Sequence, residues 1–479
     1  MELKPKTVFD IFAQINKVPR PSKHEEKIIA FLQNFAKKEG LSCKTDECGN
    51  VLISKPASAG MESRDTVVLQ AHMDMVCEKT SDRQIDFEND AIESYIDGEW
   101  MRARGTTLGA DDGIGIAMAL AVLTDKELKH GPIECLFTRD EETGLTGAEA
   151  LRSGFMTGKY LINLDSEDEG EIFIGCAGGV NTEIEFNYFE QETDRNMMAL
   201  RIVVDNLTGG HSGDDINKNR ANANKILARF LYNAFNKYDL NLISIDGGNL
   251  HNAIPRHAEA VIAVPESAKH DIRVDFNLFA TDIQNEYHAT EPNAEFIMES
   301  VEMEDHCIDD ITAYNLIGAL HACHHGVYEW SQDIPNFVET SSNLASIKMT
   351  EPGKIKIVTS QRSSTQSQLE CMSSIIASTF TLAGADVTIM DGYPGWKPNP
   401  DSALLQVAVE KYRELFGKDP VVRAIHAGLE CGLFSEKYPN LDMISVGPTL
   451  RGVHSPDERL LIPTVEMVWK HLVAILQEI

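Results

Sequence analysis

The stretch Thr66-Val67-Val68-Leu69-Gln70-Ala71-His72-Met73-Asp74-Met75-Val76 decides the architecture. Its first six residues are apolar or β-branched apart from Gln70, which predicts a buried strand over 66–71. In extended chain, residues two apart point to the same side. His72 and Asp74 can therefore act together at a strand end, where open α/β sheets place their active sites. A metal-bound imidazole usually donates its other N–H to a carboxylate, and Asp74 is placed to accept it. Alone, His-x-Asp is more often a surface pair.

On either side, short apolar runs predict strands over 51–54, 133–138 and 161–164, with a helix over 114–123 between them. A helix over 8–15 breaks at Pro19-Arg20-Pro21. Ser22 with Glu25 reads as a capping box opening a helix to Lys38, and Gly40 suits its end. This alternation predicts an α/β fold, a mixed sheet flanked by helices. Residues 185–393 differ in texture. Strands over 200–204 and 258–264 accompany helices over 222–235 and 311–323, which predicts an α+β insert. From Gly395 the α/β pattern returns, with a helix over 402–416 and strands over 422–425 and 443–445. The expectation is one discontinuous catalytic domain, 1–184 and 394–479, interrupted by a second domain, 185–393.

The formal net charge of −31 repels phosphate backbones and anionic bilayers, so neither nucleic acid nor membrane is expected as a partner. The nine Cys are odd in number and form no CxxC, which favours a reducing, cytoplasmic setting over a disulfide framework. No apolar run follows Lys4 and Lys6, and none nears the roughly 18 residues of a spanning helix, so no leader or membrane span is expected.

Four further motifs carry possible chemistry. In Gly109-Ala110-Asp111-Asp112-Gly113-Ile114-Gly115, two carboxylates open a helix; they are either caps or a ligand presented to a metal where glycines permit close approach. The missing Walker lysine speaks against a phosphate loop. In Thr138-Arg139-Asp140-Glu141-Glu142-Thr143-Gly144, adjacent glutamates after a strand can serve as ligand and base; the plainer reading is a solvated acidic loop. Asp165, ending the run 160–164, is a turn residue or a ligand, and His454 in Gly452-Val453-His454-Ser455-Pro456 is unremarkable alone. Together, loops after separate strands supply nitrogen and oxygen donors with no thiolate, which suits a catalytic zinc pair. One bridging Asp, one Glu, one Asp and a hydroxide would balance two divalent cations.

The motifs HMDMV, GADDGIG, RDEETGLTGA, NLDSED, GGHSG, NAIPRHAEA and GVHSPDE, in this order from residue 72 to 458, resemble the aminoacylase/carboxypeptidase-type family of co-catalytic zinc peptidases, nearest its bacterial aminoacyl-histidine dipeptidase group. Gly113 stands where many members carry Lys, a feature that this group shares. The resemblance implies two divalent ions, Zn2+ first and Co2+ or Mn2+ as substitutes. It gives one ion to His72 and Asp165, the other to Glu142 and His454, with Asp111 bridging. Asp74 would orient His72, Glu141 would be the general base, and a metal-bridged hydroxide the nucleophile. It further implies that His211 steadies the developing oxyanion and that Asn252 and Arg362 contact substrate. It makes the insert a lid and dimerisation domain, and so the chain a homodimer. The activity it implies is hydrolysis of unblocked dipeptides, with Xaa-His dipeptides such as carnosine among them.

His321, Cys323, His324 and His325 imitate a second metal cluster but end a predicted helix before Gly326, where histidines favour the dipole. Ser212 beside His211 is a poor nucleophile candidate, because triads are assembled in space. Glu430, in His426-Ala427-Gly428-Leu429-Glu430, is read as substrate contact or structural support, and the cysteines as buried or inert. Two rival classes are an N-acyl amino acid deacylase of the same fold and a non-enzymatic binding protein.

Overall fold

The computed structural model describes residues 2–194 and 196–479. They form two compact units, the first running to 176 and taking in 396–424 and 429–479, the second made of the described residues of 177–395 with 425–428. The sequence expectation set the boundaries at 184/185 and 393/394. The strand Gly178–Asn187 pairs along its whole length with Lys354–Ser363, so the second sheet already begins there.

The first unit is built on an eight-stranded mixed sheet. Val67–His72 lies at its middle, parallel to both Ile133–Thr138 and Tyr160–Asn163, and Tyr160–Asn163 is parallel to Asp442–Ser445. Every residue of Val67–His72 and of Ile133–Thr138 is buried, as strands covered on both faces must be. The helix Ala110–Thr124 packs on this sheet and on the helix Lys6–Ile15, and it is apolar nearly all round because it is buried nearly all round. The parallel strands run the same way, so their C-terminal ends gather the loops after His72, Thr138 and Asn163 on one edge.

The second unit carries a nine-stranded antiparallel sheet. Leu200, Ile202 and Val204 of Met197–Asp205 enter a core shared with the helices Ala223–Phe235, Lys269–Glu286, Asp310–Ala322 and Gln366–Leu382, while Ala199 and Val203 on the other face are buried as well. The α/β frame and α+β insert read from the sequence are therefore the folds observed. No helix among the described residues is long and apolar enough to cross a membrane.

One local expectation fails. The Ser22–Glu25 capping box does not form, and the helix begins at Glu26 with no side-chain cap. Ser22 instead donates to Asp74 Oδ2 at 2.8 Å, and Glu25 pairs with Arg139 Nε at 2.6 Å. Gly40 does end that helix, in the left-handed conformation.

Candidate metal centre and active site

The strand-end loops of the first unit bring seven of the sequence-predicted residues together. His72 Nε2 lies 2.9 Å from Asp111 Oδ1 and 3.5 Å from Asp165 Oδ1. His454 Nε2 lies 3.2 Å from Asp111 Oδ2 and 2.9 Å from Glu142 Oε2. Each Asp111 oxygen thus faces a different imidazole, and a second carboxylate accompanies each imidazole. Among these seven residues, three sets of donors lie close enough to share an ion: His72 with Asp111 and Asp165, Asp111 with Glu142 and His454, and His72 with Glu141 and Glu142.

Asp74 organises this cluster. Its Oδ1 lies 3.3 Å from His72 Nδ1 and accepts the Glu141 amide at 3.0 Å; its Oδ2 accepts the Glu142 amide at 3.3 Å. One carboxylate therefore sets the imidazole and both glutamates. Burial opposes its charge, but His72 and the other donors outweigh that and lower it to about 2. The Asp111–Asp112 doublet divides its labour. Asp112 Oδ1 accepts the Gly115 amide at 3.1 Å at the helix start, while Asp111 turns to the imidazoles.

The charges show what the donor set lacks. Burial raises Asp165 to about 6 even beside His72, and burial with Asp165, Glu142 and Glu430 lifts Glu141 well above the carboxylate range. Hydrogen bonds to Asp111 and Glu142 raise His454 to about 11. Buried Glu142 Oε1 has no hydrogen-bond partner. A pocket of carboxylates and imidazoles that pulls positive charge this strongly fits a pair of divalent cations.

Two supporting residues carry no role in the sequence reading. Glu458 is 2% exposed and accepts four consecutive amides: Leu108 at 2.7 Å, Gly109 at 3.0 Å, Ala110 at 2.8 Å and Asp111 at 3.3 Å. Buried Arg20 donates to the carbonyls of Met73, Asp74 and Gly109. It joins the loop bearing Asp74 to the loop bearing Asp111. A Cβ on Gly109, at φ +67°, would stand 2.7 Å from the Arg20 guanidinium, so the glycine admits Arg20 and not a metal. Glu458 lay within the quoted GVHSPDE motif, four residues after His454, which was the available signal. Replacing Glu458 by Ala strips four buried donors of a charged acceptor. The expected cost is roughly 3 kcal/mol or more of stability, read as a lower urea midpoint; an unchanged midpoint would contradict the arrangement.

His211, Asn252 and Arg362 belong to the second unit. His211 lies on the short strand Gly210–His211, paired with Ala253–Ile254, and the Asn252 carbonyl accepts the Ser212 amide at 2.8 Å. His211 Nδ1 accepts the amides of Gly213 and Asp214, both at 3.2 Å. Burial, then the charge of Arg362, lowers the pKa of His211, which favours the neutral ring, and the two amides at Nδ1 favour the tautomer with its proton on Nε2. Arg362 is buried, donates from Nη1 to the Tyr393 hydroxyl at 3.1 Å, and keeps an unpartnered Nε.

The His321–His325 segment is structural, but the cation at that helix end is not a histidine. Lys225 Nζ donates to the carbonyls of Leu320, His321 and Cys323, while His321 stacks on Tyr232 at 4.4 Å. Burial lowers the pKa of His321 and takes that of His325 to about 3. All nine cysteines are free; five of them are buried and Cys371 is exposed.

Residues 68–478 match the model of Peptidase family M20/M25/M40, and the chain belongs to that family. The resemblance drawn from the motifs is borne out, and the protein is a peptide hydrolase of this class. It is 42% identical to the cytosol non-specific dipeptidase of Escherichia coli K12, across all of this chain and 98% of that one. It is also 42% identical to the crystal structure of aminoacylhistidine dipeptidase from Vibrio alginolyticus, with a TM-score of 0.95, covering 100% of this chain and 97% of the other. Human carnosine dipeptidase 1, 13% identical at a TM-score of 0.51 over 98% of this chain and 95% of its own, shares the fold.

Proposed function

We propose that this chain is a two-metal dipeptidase that cleaves unblocked dipeptides, Xaa-His dipeptides among them. The observation that carries the reading is Asp111, with one oxygen toward each imidazole and a further carboxylate beside each. His72 and Asp165 would hold one ion, Glu142 and His454 the other, with Asp111 between. Two such cations, Zn2+ in the first place and Co2+ or Mn2+ as alternatives, would acidify water and polarise the scissile carbonyl. The chain's own groups do the rest. Asp74 accepts the Nδ1 proton of His72, which leaves Nε2 as the ligand atom. Glu141 takes a proton from the attacking water and delivers it to the leaving amine. His211 donates its Nε2 proton to the carbonyl oxygen as negative charge gathers there. Arg362, with a buried Nε lacking a partner, suits the terminal carboxylate of the peptide, with Asn252 as a second contact. In this reading the second unit is a lid and dimerisation domain, and the enzyme is a cytoplasmic homodimer. The names of its relatives support the dipeptide preference.

The test is hydrolysis of β-alanyl-histidine and of its N-acetylated form by zinc-loaded protein, with and without chelator. Chelator-sensitive cleavage of the free dipeptide alone is expected. Cleavage of only the acetylated form would transfer the assignment to a deacylase. Replacing His211 by Ala is expected to lower kcat by about 10²-fold with metal content unchanged. An unaltered kcat would remove His211 from the site.

A further inference from the structure

One buried carboxylate near the centre has no part in the chemistry above. Glu430 opens the helix Glu430–Lys437 and is 1% exposed. Its Oε2 accepts Gln70 Nε2 at 2.6 Å and Thr138 Oγ1 at 2.7 Å, and its Oε1 is buried with no hydrogen-bond partner. Gln70 precedes His72 by two residues on its strand. Thr138 is the cross-strand partner of His72 and precedes Glu141 by three. Gln70 Oε1 in turn accepts Asn163 Nδ2 at 2.6 Å, and Asn163 Oδ1 accepts the Asp165 amide at 3.4 Å. One buried row of hydrogen bonds therefore runs from Glu430 under the bases of the three loops that bear His72, Glu141–Glu142 and Asp165.

Both donors to Glu430 are neutral, and burial raises its carboxyl to about 7. A buried carboxylate bonded only to neutral donors is costly unless positive charge lies nearby. We propose that Glu430 is a positioning residue of the metal centre: it clamps the strand ends beneath His72 and Glu141, and its buried negative charge tightens the hold on divalent cations. This rests on the two-metal reading above.

Glu430→Gln keeps the shape and the oxygen that Gln70 and Thr138 address, and removes the charge. The readouts are Zn2+ affinity by chelator competition, the absorption spectrum of the Co2+ form, and the thermal midpoint. The expected result is about 10–100-fold weaker Zn2+ binding and an altered Co2+ spectrum, with the midpoint retained. Wild-type affinity in Glu430→Gln overturns the proposal, and so does a lowered midpoint with affinity unchanged. A wild-type protein that binds no pair of ions overturns the metal reading itself, which separates the two failures. Should Glu430→Gln not fold, Thr138→Val removes one clamp donor and Thr138→Ser keeps it. Weaker binding in the first and recovery in the second support the proposal, and equal affinities in both sink it.

Discussion

Glu141→Gln is expected to lower kcat by about 10⁴-fold, the upper range for loss of a general base, with both metal ions retained. Asp74 holds the Glu141 and Glu142 amides at 3.0 and 3.3 Å, so the backbone carrying both glutamates is fixed by a residue the substitution leaves alone. Glu142 faces His454 at 2.9 Å, whereas Glu141 lies on the His72 side of the cluster. Gln fills the same space and cannot accept a proton. Because the lost interaction belongs to the transition state, kcat and kcat/KM should fall together. Steady-state kinetics beside metal analysis checks this; a variant with near-normal kcat would move the base elsewhere.

Asp111→Asn is expected to cost metal as well as turnover, with activity down by about 10³-fold, equivalent to the several kcal/mol that a bound cation supplies. Asn keeps one oxygen for one imidazole side and turns an NH2 toward the other. At least one ion should be lost on gel filtration, read by elemental analysis. The neighbouring Asp112→Asn is the contrast. Asn still accepts the Gly115 amide as a helix cap, so that variant should keep its metal. Equal metal loss in both would show that the doublet does not divide its roles as described.

The candidate ligands were legible because the sheet imposes order on them. A strand of period two places His72 and Asp74 on one side, and parallel strands deliver Glu141, Glu142 and Asp165 to the same edge. Which aspartate of the doublet turns to the imidazoles was given only by the family resemblance, because the backbone at the helix start decides it. Arg20 read as a break between prolines, and Glu458 as the tail of a motif. Their partners are main-chain atoms more than fifty residues away, carbonyls for Arg20 and amides for Glu458, and a main-chain partner leaves no mark in a side-chain pattern. The failed capping box has the same origin. Ser22 and Glu25 have the right local spacing, but Asp74 and Arg139, distant in sequence, claim both side chains. The role of Glu430 was hidden likewise, since Gln70 and Thr138 on two strands are what define it.

Whether the enzyme works with two ions is read from a metal titration. Protein stripped by chelator is reloaded with Zn2+ while hydrolysis of β-alanyl-histidine is followed. No turnover is expected in the stripped chain, with a rise that levels off at two equivalents per chain. Full activity without metal, or a plateau at one equivalent, would contradict a two-ion enzyme.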